Sequence, residues 1–227
     1  MKPKILILRP RPGCIATAAR AAELGWHSVS ASLFKIVPVA WSPPPASDYD
    51  AVMMTSANAA RRAGPGLARY RRLPLYAVGQ ATAEAARQSG FIDVRSGAGN
   101  SVELMARAAA DGIARMLHLT GREHRAVSQE GVIVDRRIVY AADAVGELQD
   151  EARAALAEGA VALLHSPRAA SLFAALVDEG GLARSGIRIA AISPAALEEA
   201  GGGWDAARAA EKPTDSELLA AAARLCE

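Results

Sequence analysis

The feature that most limits what this chain can become is that it repeats itself. Leu6-Ile7-Leu8 is answered 111 residues later by Leu117-His118-Leu119, and Thr55-Ser56-Ala57 is answered 110 residues later by His165-Ser166-Pro167. Val78–Thr82 and Ser101–Met105 recur 114 residues on, as Ile192–Ala196 and Asp215–Leu219. Alanine-rich sequence can imitate one such match, but not four in order. A period this long is far beyond that of a solenoid, so the chain holds two copies of a domain-sized unit. Its 227 residues are enough for two small domains.

Within each copy, short apolar runs alternate with alanine-rich segments of helical period. Strands are expected at Ile5–Leu8, His27–Ser32, Phe34–Val39, Ala51–Met54, Leu75–Val78, Phe91–Val94 and Met116–Leu119. Further strands are expected at Val132–Tyr140, Val161–Leu164, Ile187–Ile192 and, weakly, Trp204–Arg208. Helices are expected over Ile15–Leu24, Asn58–Ala63, Thr82–Gln88, Ser101–Ala109 with Ser101 as its cap, and Arg122–Gln129. Later helices are expected over Glu147–Glu158, Ala169–Asp178, Ala195–Ala200 and Asp215–Leu225. Strands that alternate with helices form parallel sheets covered on both faces.

Composition narrows the function classes. Hydrophobic residues make up 51% of the chain but aromatic ones only 4%, so Ala, Leu and Val must fill the cores. A net charge of +2, from 26 basic and 24 acidic residues, announces neither a nucleic-acid nor a membrane partner. No apolar run approaches the roughly 18 residues of a spanning helix, and the run behind the N-terminus is too short for a signal peptide. The expected location is the cytoplasm. Cys14 and Cys226 show no metal or disulfide spacing, so both read as reduced thiols. His27, His118 and His124 show no metal spacing either, and no metal site is expected.

The repeat also says where function sits. Thr55-Ser56, Thr82, Ser166 and Ser193 each stand where a strand gives way to a helix. Such places offer free backbone N–H groups and the positive end of a helix dipole, which bind anions without Lys or Arg. In open α/β sheets, ligands collect along this edge. Two lobes with facing edges would form a cleft lined by anion-binding amides. A single Ser or Thr at a helix start is more often only a cap; the recurrence at equivalent places carries the weight. Arg9-Pro10-Arg11-Pro12 after the first strand could be a solvated loop, but its position at a strand end favours an anion contact by Arg9. His165 could act as a base, though a half-buried histidine is the commoner case, and Tyr140 alone would be a packing residue. Gly201-Gly202-Gly203 reads as a turn, since neither a dinucleotide nor a Walker pattern follows a strand.

Taken together, Arg9-Pro10, Thr55-Ser56-Ala57-Asn58-Ala59, Ala77-Val78-Gly79-Gln80-Ala81-Thr82-Ala83, the strand ending in Tyr140, Ser166-Pro167-Arg168, Ala191-Ile192-Ser193-Pro194 and Lys212-Pro213-Thr214 resemble the uroporphyrinogen-III synthase family. The similarity runs over almost the whole chain. It implies two similar α/β lobes, each a parallel sheet flanked by helices in the flavodoxin-like or Rossmann-like manner, joined by a two-strand connector. The connecting strands would be Phe34–Val39 and Ile138–Ala142, giving one lobe from residues 1–35 and 143–227, a second from 36–142, and five strands in each.

The resemblance further implies a cofactor-free hydro-lyase of tetrapyrrole, porphyrin and heme biosynthesis. Its small-molecule substrate would be hydroxymethylbilane, a linear octacarboxylate. The macrocycle would close with inversion of the last ring and loss of water, in the cleft between lobes. Tyr140 would be the catalytic donor. Arg9, Thr55, Ser56, Gly79, Thr82, Ser166, Arg168 and Ser193 would bind substrate. A monomer is implied. Two positions depart from the family pattern: Ser193 stands where it usually has Gly, and Ala196 where it usually has Thr. These departures keep open an inactive relative, and the cleft logic alone also fits a two-lobed binding protein for a small anionic ligand.

Overall fold

A computed structural model describes residues 4–97, 100–124 and 126–226. The chain divides into a split unit, Met1–Lys35 with Ala144–Glu227, and a continuous unit, Ile36–Asp143. The first elements are β1 (Lys4–Ile7), α1 (Gly13–Glu23), β2 (His27–Ser30), β3 (Phe34–Pro38), β4 (Ala51–Met54), α2 (Ala57–Arg62), β5 (Leu75–Val78) and α3 (Gln80–Gln88). Then come β6 (Val94–Gly97), α4 (Ser101–Ala110), β7 (Arg115–Gly121), β8 (Ile133–Ala144) and α5 (Asp150–Ala157). The last are β9 (Val161–Leu164), α6 (Pro167–Glu179), β10 (Arg188–Ala191), α7 (Pro194–Ala200), β11 (Ala206–Ala209) and α8 (Asp215–Ala223).

The split unit carries a five-stranded sheet in the order β11-β10-β9-β1-β2, and the continuous unit a six-stranded sheet in the order β3-β8-β7-β4-β5-β6. The pairings among β1, β2, β9, β10 and β11 are all parallel, as are those among β4 to β8. The two orders coincide once β1 is matched to β7, β2 to β8, and β4, β5, β6 to β9, β10, β11. Each sheet therefore combines two strands of one sequence repeat with three of the other. The sixth strand of the continuous unit is β3, where five were expected. Val39 N–H bonds Val139 O at 3.0 Å and Val145 N–H bonds Leu33 O at 3.0 Å. As the residue number falls on one strand it rises on the other, so β3 lies antiparallel to β8.

Both sheets are three-layer cores. In the split unit, Leu6, Ala162, Leu164 and Ile189 face α5, α6 and α7, through Ala155, Phe173, Val177 and Ala196. On the opposite face Ile5, Ile7, Val161 and Leu163 meet Ala21 of α1 and Leu218, Leu219 and Ala222 of α8. The alanines let helix backbones approach the sheet closely, which is how a chain poor in aromatics reaches native packing density. The continuous unit packs Val52, Met54, Leu75 and Leu117 on the alanines of α2 and α3. Its other face has Met53, Tyr76 and Met116 against Leu104, Met105 and Ala108 of α4.

Three expected elements are corrected. The segment expected as helix Arg122–Gln129 is a non-helical crossover among its described residues. Among its described residues only Val127 is buried, so they offer no apolar stripe to anchor a helix. Its carbonyls are met by side chains instead: His124 Nδ1 lies 3.2 Å from Arg122 O, and Arg136 donates to Val127 O at 2.8 Å. The strand expected at Phe91–Val94 begins three residues later, at Val94. Phe91 is apolar for another reason: its N–H bonds Ala86 O at 3.2 Å while Gly90 N–H bonds Arg87 O at 2.9 Å, closing α3 in a Schellman motif. The cap of α4 is Asn100, whose side chain accepts from Val102 N–H at 2.9 Å, and Ser101 is the first helical residue.

Candidate active site

Parallel strands put all their carboxyl ends on one edge of a sheet. The order in which strands are added reverses between β9 and β1 in the split unit and between β4 and β7 in the continuous unit, although the strands stay parallel. Such switch points are where open α/β sheets leave room for ligands. The expected site residues fall into two groups on these edges. Thr55, Ser56, Gly79, Thr82 and Tyr140 belong to the continuous unit, and Arg9, Ser166, Arg168 and Ser193 to the split unit.

In the continuous unit, β4 runs into Thr55 and Ser56. Ser56 Oγ accepts from Asn58 N–H at 3.2 Å and caps α2. Gly79 caps α3 with φ 83° and ψ 158° and no side chain to accept a bond. That conformation is open to glycine only, and it leaves the first amides of α3 without a capping side chain. Thr82, expected at the helix start, does not open it: α3 begins at Gln80, because Gly79 takes the capping turn, and Thr82 is buried within the helix.

Tyr140 stands opposite Gly121 at a register shift between Thr120 and Gly121. Its ring lies flat across that glycine: a Cβ there would meet the ring and the hydroxyl at 2.6 to 2.9 Å. Gly121 is thus the seat of Tyr140. Below this edge His118 is fully buried, with Nε2 3.5 Å from Thr55 Oγ1. Burial, then the charge of Arg136 and the ring of His124, lowers its pKa to about 4, so the imidazole is neutral.

The split unit's edge is built differently. Ser166 and Ser193 cap α6 and α7, accepting from Ala169 N–H at 3.1 Å and Ala196 N–H at 3.3 Å. Arg168 is exposed, and its guanidinium sits 4.5 Å over the ring of Phe34. Both line a cavity of about 550 Å³ with Pro167, Leu172 and Glu199. Arg9 donates to Asp215 Oδ1 at 3.2 Å. Thr17 donates to Asp215 Oδ2 at 2.8 Å, and Arg20 Nη1 is 3.4 Å from the same oxygen. His165 Nε2 lies 3.6 Å from Asp215 Oδ1, within reach of an ion pair if protonated. Burial and then the charge of Arg9 outweigh Asp215 and lower its pKa to about 4, so this imidazole is also neutral.

Sequence reasoning missed Asp215, Thr17, Arg20, Gly13 and Gly121. The repeat did mark Asp215 as a helix start, but not its partners. Among the described residues no group of His, Cys, Asp and Glu could hold a metal ion, and no helix is long and apolar enough to cross a membrane.

The family model described as uroporphyrinogen-III synthase HemD matches residues 15–220. No curated protein matches the chain. Among solved structures, a uroporphyrinogen-III synthetase from Helicobacter pylori 26695 is 17% identical, with a TM-score of 0.62 over 99% of this chain and 100% of that one. A uroporphyrinogen III synthase from Thermus thermophilus is 16% identical, with a TM-score of 0.42 over 100% of both chains. The first of these likenesses is one of fold.

Proposed function

From the premise that this chain belongs to the uroporphyrinogen-III synthase family, we propose that it converts hydroxymethylbilane to uroporphyrinogen III, as a hydro-lyase that needs no cofactor. The observation that carries the reading is the seat of Tyr140. A phenol laid on a glycine at the carboxyl edge of a parallel sheet is a hydrogen-bond donor held in one place.

The chemistry asks for two things. The terminal hydroxyl of the bilane must leave, giving an electrophilic azafulvene. The last ring must then attack through its substituted α-carbon, so that a spiro intermediate fragments and recloses with that ring inverted. Direct closure is the competing path, so much of the catalysis lies in holding a flexible polyanion in the productive fold. Tyr140 donates to the departing hydroxide. The uncapped amides of α3 behind Gly79, together with Thr55 and Ser56, receive carboxylates on the continuous unit. Arg9 and Arg168, with the starts of α6 and α7, receive them on the split unit. Ser193 fills its own helix start and Ala196 supplies no hydroxyl, so the contact at α7 is weaker than that at α3.

The test is to supply freshly prepared hydroxymethylbilane, oxidise the products and separate the type I and type III porphyrins. The reading expects type III in excess. Type I alone, at the level of the uncatalysed control, would overturn it and favour an inactive relative or an anion-binding protein.

A further inference from the structure

Arg9 is seated as deliberately as Tyr140. A Cβ built on Gly13 would collide with Nε, Cζ and Nη2 of the Arg9 guanidinium, so the group occupies the space that the bare start of α1 leaves open. Asp215 holds it from the side at 3.2 Å. The carboxylate is itself fixed. It opens α8, where a negative charge suits the helix dipole. The hydroxyl of the fully buried Thr17 donates to it at 2.8 Å, its shortest contact, while Gly13 O lies farther from that hydroxyl at 3.1 Å. The neutral His165 backs it at 3.6 Å.

Charge gives this seat a purpose. Asp215 faces two guanidinium groups, Arg9 at 3.2 Å and Arg20 at 3.4 Å, and one carboxylate neutralises only one of them. The cluster therefore keeps a net positive charge. The side chains of Arg9 and Arg20 remain 35% and 47% exposed and that of Asp215 only 11%, so the surplus is offered to solvent through the two arginines, of which Arg9 alone is pinned by Gly13. A planar guanidinium pinned on one side presents its remaining N–H donors in a fixed direction, as recognition of a carboxylate requires.

We propose that Gly13 and Asp215 are positioning residues that seat Arg9 as a preorganised subsite for one substrate carboxylate. The proposal rests on the synthase reading for the identity of the ligand and deepens it. Neither residue touches the substrate; both act through Arg9.

Gly13→Ala is the sharpest test, because alanine near a helix start is otherwise neutral or stabilising. With hydroxymethylbilane as substrate, Arg9→Ala is expected to raise KM about tenfold. Gly13→Ala and Asp215→Asn should raise it about threefold to fivefold, on the order of half that effect in free energy. In each case kcat should stay within about twofold, and Gly13→Ala should melt no lower than the wild type. Added to Arg9→Ala, Gly13→Ala should change nothing further.

The same series is titrated with an octacarboxylic porphyrin, read by its fluorescence, so that binding is scored without turnover. A wild type that makes no type III isomer overturns the synthase reading alone; the porphyrin titration then decides on the seat. Unchanged KM and porphyrin affinity in Gly13→Ala, or an equal loss with and without Arg9, would overturn the proposal. Should Asp215→Asn fail to fold, Gly13→Ala alone decides.

Discussion

The two sheet edges share one strand order and differ in nearly everything placed on it. The continuous unit presents neutral groups: an uncapped helix start at Gly79, a tyrosine on a bare glycine, and an uncharged His118 beside Thr55. The split unit presents charge, with Arg9 and Arg20 gathered on Asp215, and serine caps on α6 and α7. The difference comes from a few equivalent positions. His165 answers Thr55, Asp215 answers Ser101, Ser193 answers Gly79 and Ala196 answers Thr82. α1, which supplies Gly13, Thr17 and Arg20, has as its counterpart a crossover with no helix among its described residues. A duplicated fold thus yields two edges of different chemistry, one with a phenol and open amides, the other with a fixed cation.

The largest effect should appear in acid, where both edges depend on an uncharged imidazole. His118 and His165 have folded pKa values near 4 against an ordinary 6.5. The unfolded chain therefore takes up protons first. Stability is full above about pH 6.5 and falls as the pH drops toward 4, by on the order of 3 kcal/mol for each histidine. Chemical denaturation between pH 7 and 4.5 should show this slope. His118→Gln and His165→Gln should each remove part of it, and a variant with the wild-type slope would show that its imidazole is not held neutral.

Next comes Tyr140→Phe, which should lower turnover about a hundredfold and leave urea stability within about 1 kcal/mol of the wild type. Near-normal turnover would take Tyr140 out of the chemistry. Gly79→Ala forces an alanine to a φ of 83° and should cost about 2 kcal/mol in unfolding free energy, with a raised KM. A wild-type melting curve would mean that the turn relaxes freely. At the small end stands Ser193→Gly, which gives the split unit the cap that the continuous unit has. It should cost only a few tenths of a kcal/mol and lower KM, since the Ala196 N–H that Ser193 holds becomes free. An unchanged KM would mean that α7 does not meet the substrate.

Local pattern explains what could be read from sequence. β4, β5 and β9 stand where the apolar runs Ala51–Met54, Leu75–Val78 and Val161–Leu164 predict them, because each run is buried on both faces and flanked by breakers. β6 was displaced because Phe91 serves a helix end, and apolarity alone does not distinguish the two uses. Ser56, Ser166 and Ser193 were legible as helix starts, since capping is a local bond. The seats of Arg9 and Tyr140 were not. Arg9 meets Asp215 across 206 residues of sequence, and a glycine that serves as a floor looks like any other glycine until the chain above it is in place.

The proposed reaction inverts the last ring of the bilane as the macrocycle closes. Hydroxymethylbilane carrying carbon-13 in its bridging carbons tests this most directly. The type I product is fourfold symmetric and gives a single bridge resonance, whereas inversion of one ring makes the bridges inequivalent. Several bridge resonances are expected in the product released by the wild-type protein. A single resonance, identical to that of the uncatalysed product, would contradict the inversion.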